Sequence, residues 1–312
     1  FPLKIEKVSK RIVPFFLNFI QKQYSQIEWR SLTPPGLFKD FVFLAKSEFG
    51  ENNSKLLPST QSQTILLDYL NTFALFKNPK TLKYSDIILQ ILEILLSYGN
   101  SVVQKNALQC LFPWKQEYIN PYRESLERLV DDKTTREEMT SFNITIEAEI
   151  IKPQHRIGLS RIIIYILHSK LIAVNRRSKI HRHTILSYLG GFEISELQPL
   201  FDLILQPFRK YFILLNTSKE SIYSALDSSS SIYRCIQKVS LSRKSKVLVL
   251  LQEVLKQFGK RIEMYLPQLL NTLVGMLLWE SIQSNTSKGN IKNACLRRIS
   301  TIVQLYPNFD YS

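Results

Sequence analysis

The sequence is poor in the residues that build turn-rich folds, disulfide frameworks and metal knuckles. Its 312 residues include only 9 glycines, 13 prolines, 3 cysteines and 4 histidines. So little glycine leaves few phosphate-cradling loops and few of the tight turns that a sheet protein needs. Cys110, Cys235 and Cys295 stand far apart with no CxxC pairing, which excludes a disulfide framework or zinc knuckle and suits a reducing compartment. No nucleophile elbow (GxSxG), P-loop or HExxH metalloprotease motif is present, so an enzyme is not expected. The longest apolar run, Ile162 to Leu167, stops at His168, far short of the roughly 18 to 20 residues of a membrane span, so a soluble chain is expected. The chain begins with Phe1, and both ends fall in amphipathic sequence, as expected of a piece of something longer.

What is abundant is apolar residues and positive charge. Hydrophobic residues make up 45%, and 41 Lys and Arg against 26 Asp and Glu give a formal charge of +15. A balance that basic suits a polyanionic partner, either nucleic acid or an acidic membrane surface. The apolar residues recur at helical spacing. Ile12 to Ile20 is apolar almost all round, and Phe38 to Phe49 follows the linker Thr33-Pro34-Pro35-Gly36. Ile65, Leu66, Tyr69, Leu70 and Phe73 form one broad face, which Asn78-Pro79 ends. In the next helix Asp86, Gln90, Glu93 and Ser97 form a polar stripe opposite Ile87, Ile88, Ile91, Leu92 and Leu95. Phe15, Phe16, Phe19, Tyr69 and Phe73 read as core packing rather than base stacking.

Tyr98-Gly99-Asn100 breaks the chain before a helix through Val103, Ala107 and Leu111, giving an antiparallel pair. Asn120-Pro121 predicts an N-cap with an N1 proline, with Arg123/Glu127 and Glu124/Arg128 pairs along the helix that follows. Thr135 to Glu138 fits a capping box. Asn143 to Ile150 alternates with period two, but a lone strand-like segment is expected to be an extended loop. Helices resume over Ile157 to Leu171, Thr184 to Leu189 and Leu197 to Phe212, where Pro207 should kink or split the last. Further helices run over Val247 to Phe258, Tyr265 to Leu278 and Ile291 to Leu305. Pairs recurring about every 40 residues match the HEAT period. The expected fold is all-α, a HEAT-like α-solenoid of antiparallel helix pairs running as one continuous segment over 1–312, with an irregular helical bundle as the alternative.

One stretch stands apart from this packing pattern. His168 to Gly190 holds three of the four histidines and five cations: Lys170, Arg176, Arg177, Lys179 and Arg182. It reads as a basic loop between buried helices, either a solvated turn or a phosphate contact. Arg243, Lys244 and Lys246 join it as nucleic-acid-binding candidates, with Lys260, Arg261, Arg297 and Arg298 as weaker ones. His181 and His183, with His168 and His155, raise a zinc site, because imidazoles ligate zinc when three or four converge. No cysteine or carboxylate pair stands at suitable spacing, and histidines among arginines read more simply as further phosphate donors or surface residues. Glu137, Glu138, Glu147 and Glu149 read as charge balance. No metal, cofactor or catalytic centre is expected.

Leu95 to Leu111 (LLSYGNSVVQKNALQCL) and Tyr265 to Leu273 (YLPQLLNTL) look like HEAT repeats. The order NPYRESLERLVDDKTTREEM at Asn120 to Met139, HRIGLSRIIIYILHSK at His155 to Lys170, then TILSYLGGF and ELQPLFDLILQPF, is more specific. It resembles the DRIM family, the very large HEAT-repeat component of the small-subunit processome assembled with the U-three small nucleolar RNA. In place of that family's glycine-containing "YGRM"-like turn stands His168-Ser169-Lys170-Leu171. The resemblance implies a nucleolar, non-catalytic scaffold in small ribosomal subunit biogenesis. Such a scaffold would hold pre-ribosomal RNA, small nucleolar ribonucleoprotein and other processome proteins in a large hetero-complex. The alternative is a HEAT-repeat transport receptor or other protein-docking scaffold. A third reading is a solenoid on an anionic membrane or associated with a kinase.

Overall fold

A computed structural model describes residues 2–23, 59–172, 178–217, 222–282 and 290–310. Among them the chain forms helices and short 3₁₀ turns and no strand, which makes it all-α as the periodicity indicates. It falls into two compact units, Phe1–Ala173 and Val174–Ser312. The expected linker Thr33 to Gly36 and the segment Phe38 to Phe49 lie outside the described residues.

The first unit contains α1 (Pro2–Gln23), α2 (Ser59–Ala74), α3 (Ser85–Leu95), α4 (Ser101–Leu111), α5 (Arg123–Val130), α6 (Thr135–Ser141) and α7 (Arg156–Ile172). Helices pack mainly on neighbours one or two places along the chain: α2 on α4, α3 on α4, α4 on α5, α5 on α6 and α7. That is the pattern that stacked helical repeats require, since each pair buries its apolar face only against the next. Phe16 of α1 meets Phe73 of α2 edge-on, with ring centroids 4.8 Å apart. Phe15 points the other way and is exposed, so it is not the core residue its neighbours are. The break before α4 falls where expected, and Asn100 also caps the helix, its Oδ1 accepting from the backbone N–H of Val102 at 2.8 Å and of Val103 at 3.3 Å.

Other local expectations fail, for identifiable reasons. Asn120-Pro121 opens a 3₁₀ turn, Asn120–Tyr122, and α5 starts only at Arg123, with no side-chain cap from Asn120. Arg123 pairs with Glu127 at 3.2 Å, whereas Arg128 turns to Glu138 at 3.0 Å. The capping box at Thr135 is absent because its hydroxyl donates instead to the Leu129 and Asp131 carbonyls. A capping box does form where none was expected, between Glu193 and Glu196. Nor does Glu93 lie on a water-facing stripe. It is buried, and its carboxylate accepts from Tyr118 Oη at 2.9 Å and Arg161 Nη2 at 3.0 Å. Gly158 makes room for this, since a Cβ there would come within 2.5 Å of the Tyr118 ring. Burial beside Glu93 pushes the Tyr118 phenol up to about 12.

The second unit contains α8 (Ser178–Leu189), α9 (Gln198–Leu205), α10 (Arg209–Thr217), α11 (Ser231–Lys238), α12 (Leu241–Phe258), α13 (Leu266–Ile282) and α14 (Asn290–Leu305). Pro207 splits the Leu197–Phe212 pattern as expected, leaving a 3₁₀ turn, Gln206–Phe208, between α9 and α10. Here α12 packs on α8, α9 and α14, and α13 packs on α11 and α14. Tyr211 of α10 fits under Gly275 of α13 and donates to the Asn271 carbonyl at 2.8 Å.

Candidate nucleic-acid interface

The basic stretch is not one long loop. Helix α7 continues through Ile172, so His168 to Leu171 is helical, as the Ile157 to Leu171 pattern indicates, and α8 starts at Ser178, six residues before the expected Thr184. Arg176 and Arg177 lie outside the described residues, as does the side chain of Lys179. The cations that are described divide into buried and exposed sets.

Lys170 and Lys244 belong to the core, which corrects their place among the phosphate contacts. Lys170 is 7% exposed, and its ammonium donates to the Val130 carbonyl at 3.2 Å and to Asp132. Lys244 is 1% exposed, with Nζ 3.2 Å from the centroid of the Trp279 ring. Burial pulls its pKa down to about 8, against the opposing pull of the Glu280 charge. Exposed Arg261 and half-buried Arg298 also make structural bonds. Arg261 donates to the carbonyls of Gly190 at 2.8 Å and Phe192 at 2.9 Å, closing the end of α8. Arg298 donates to the carbonyls of Leu248 at 3.1 Å and Ala294 at 2.9 Å, and burial lowers its pKa.

His155 is buried against Tyr122, Nδ1 to Oη 3.1 Å. His168 is buried in α7, where desolvation lowers its pKa to about 4. His181 and His183 lie in α8 of the other unit. No group of three or more His, Cys, Asp or Glu that could hold a metal occurs among the described residues. No described helix is long and apolar enough to cross a membrane.

Arg243 and Lys246 remain exposed, in the first two turns of α12. Ser240 caps that helix by accepting from the Arg243 N–H at 3.3 Å, and no acid stands in its first turn. Cations at a helix N-terminus oppose the macrodipole, so helix stability does not account for them. Their neighbours follow from how α14 lies on α12. Arg298 reaches Leu248, and Tyr306 Oη donates to the Gly259 carbonyl at 2.6 Å, so the two helices run in the same direction. Six residues of helix span about 9 Å, which brings exposed Lys292 roughly level with the start of α12, and Arg297 is exposed one turn further on. Lys238, at the end of α11, is exposed two residues before the Ser240 cap. The C-terminal end of α8 is tied to that of α12 through Arg261, so half-buried Arg182 lies in the part of α8 away from this tie. Sequence reasoning missed Lys238 and Lys292, which stand singly in the sequence and are exposed in the structure.

Comparison with known proteins bears on this surface. The family model described as "U3 small nucleolar RNA-associated protein 20, N-terminal" matches residues 60–312. The chain belongs to this family. A curated relative of that name from Schizosaccharomyces pombe is 27% identical over 215 residues, covering 67% of this chain and 8% of the relative. One from Saccharomyces cerevisiae is 29% identical over 120 residues, covering 38% of this chain and 5% of the relative. The chain thus spans a small part of the relatives' length. The match of the family model takes in every cation discussed above.

Proposed function

We propose that the chain is part of a non-catalytic helical scaffold in the small-subunit processome, where it acts in small ribosomal subunit biogenesis in the nucleolus. On this reading residues 1–312 belong to one longer array of helical repeats that holds pre-ribosomal RNA and assembly proteins. The observation that carries it is the family match over residues 60–312, to a family named for association with U3 small nucleolar RNA. Exposed Lys238, Arg243, Lys246, Lys292 and Arg297 are the phosphate contacts, acting as fixed cations on a rigid helical support. Arg182 and, outside the described residues, Arg176, Arg177 and Lys179 extend the set. The action is geometric rather than chemical. In keeping with that, burial pushes the Cys295 thiol up to about 12, far from the thiolate a nucleophile needs.

Salt-dependent RNA binding tests the interface. Each phosphate contact contributes about −0.7 to −0.9 to the slope of log affinity against log salt. Arg243→Ser, Lys246→Ser, Lys292→Ser and Arg297→Ser together should therefore flatten the slope by up to about 3 in fluorescence anisotropy with a structured RNA oligonucleotide. An unchanged slope removes these residues from the interface, and no affinity even at low salt defeats the RNA role. Co-sedimentation of the full-length protein with pre-ribosomal particles tests the assembly role.

A further inference from the structure

The charge of the chain is unevenly placed. Residues 117–150 hold nine acidic and four basic residues, net −5, in a chain of net +15. At the end of this stretch the loop between α6 and α7 displays isoleucines to solvent among its acids. Ile146 is 49% and Ile150 44% exposed, and Glu147 and Glu149 are exposed between them.

Such exposure is usually relieved by collapse onto the core, but here the loop is built so that it cannot collapse. Phe142, Ile144 and Ile151 are buried and anchor its two ends. Arg156 Nη1 donates to the Ile144 carbonyl at 3.0 Å, which brings the first turn of α7 against the loop base. Lys152 N–H donates to Tyr122 Oη at 3.0 Å, tying down the far end. Between these ties a 3₁₀ turn, Ile146–Ala148, ends on Glu149 in the left-handed region at φ 55°. The Glu147 carboxyl is held below its ordinary range by its own backbone N–H and the Thr145 hydroxyl, so it stays charged. The first turn of α7 adds Ile157, which is 79% exposed.

We propose that this acidic, isoleucine-bearing loop docks a basic protein segment whose aliphatic side chains cover Ile146 and Ile150 while its lysines or arginines meet Glu147 and Glu149. Charge complementarity selects the occupant. Glu147 and Glu149 disfavour an RNA backbone at the tip of the loop, with Lys152 and Arg156 at its base, and a second copy of this net-positive chain has to present one of its own basic faces. Aliphatic side chains on the isoleucines and cations on the carboxylates give the two kinds of contact that a specific interface combines.

The test uses the whole chain and a short fluorescein-labelled peptide in which pairs of lysines alternate with single leucines. Anisotropy should show binding that weakens about tenfold or more in E147K/E149K, because like charges then face each other. It should weaken severalfold to tenfold in I146S/I150S, and E263K in the other unit should leave it unchanged. All these positions are exposed, so helix content by circular dichroism should match wild type. The proposal is overturned if either loop double variant binds within about twofold of wild type, or if E263K weakens binding as much. It is also overturned if an RNA oligonucleotide crosslinks to the loop, or if I146S/I150S converts a dimer to a monomer in sedimentation.

Discussion

Replacing Lys244 with methionine separates the two roles that a lysine near the start of α12 can have. If the ammonium is a core group, its removal changes stability as a function of pH and leaves RNA affinity untouched. Burial holds its pKa near 8, roughly 2.5 below the ordinary lysine value, and at 1.36 kcal/mol per unit the charged form is disfavoured by about 3 kcal/mol. In the unfolded chain the amine keeps its proton up to about pH 10.4, and in the folded unit it loses it near pH 8. Between those values the unfolded chain binds more protons, so stability rises with pH. Below pH 8 both states are protonated and the penalty is constant. The face of Trp279 works the other way, favouring the desolvated cation by up to about 2 kcal/mol, so the net rise is about 1 to 3 kcal/mol.

Urea unfolding followed by tryptophan fluorescence reads this directly, since Trp279 is the one tryptophan of residues 174–312. The stability of wild type minus that of K244M should climb by about 1 to 3 kcal/mol from pH 7 to pH 10. In the RNA assay K244M should keep the wild-type salt slope, in contrast to the Arg243 and Lys246 variants. A stability difference that is flat across the window would refute the burial argument. A salt slope reduced by about one in K244M would return Lys244 to the phosphate surface.

Two further perturbations test the packing of each unit. In Gly275→Ala the added Cβ would lie 2.6 Å from Tyr211 Oη and 2.8 Å from its Cζ, on a buried ring held by its bond to Asn271. Overpacking costs about 1 to 3 kcal/mol, and a strained tyrosine bond adds about 1. The better helix propensity of alanine returns about 1, so the melting temperature should fall, and Tyr211→Phe in the same background should restore part of it. An unchanged melting temperature in the single variant would show that the ring moves freely. His168, with its pKa lowered to about 4, should make the first unit less stable as pH falls from about 6.5 to 4. Across that window the unfolded imidazole takes up a proton that the folded one refuses, a loss of up to about 3 kcal/mol that His168→Leu should abolish in acid titration by circular dichroism.

The helical period made most of the fold legible. The faces through Leu66, Leu70 and Phe73, and through Ile88, Ile91, Leu92 and Leu95, are buried, and the helix is interrupted at Pro207, where a kink or split was expected. Capping was poorly legible, because a serine, threonine or acid near a helix start has several backbone partners to choose from and local sequence does not rank them. Thr135 bonds backward to Leu129 and Asp131, while Glu193 and Glu196 cap each other. The start of α8 was missed because its first turns, SKIHRH, carry one apolar residue and so give almost no period to read.

The candidate site was misread for a different reason, and the remedy was present in the same residues. Clustering in sequence groups cations that point to opposite sides of a helix. Lys244 sits three, four and seven residues before the buried Val247, Leu248 and Leu251, on the core stripe of α12, and Lys246 falls off it, whereas Arg243 stands four and seven residues before the buried Val247 and Leu250 and is exposed in the first turn. Arg298 stands three and seven residues after the buried Cys295 and Ile291 and four before Ile302, again on the stripe. Lys170 follows Ile163, Ile166 and Leu167 at the same intervals in a helix buried nearly all round. A long aliphatic stem lets such a residue fill core space, and a carbonyl, carboxylate or aromatic face then answers its charge. Helical register separates the structural Lys244, Arg298 and Lys170 from the exposed Lys246, and only the structure separates Arg243 from them. The same reading assigns Lys292 to the solvent side of α14, one residue beyond the buried Ile291, and so adds to the surface a residue that no run of charges announces.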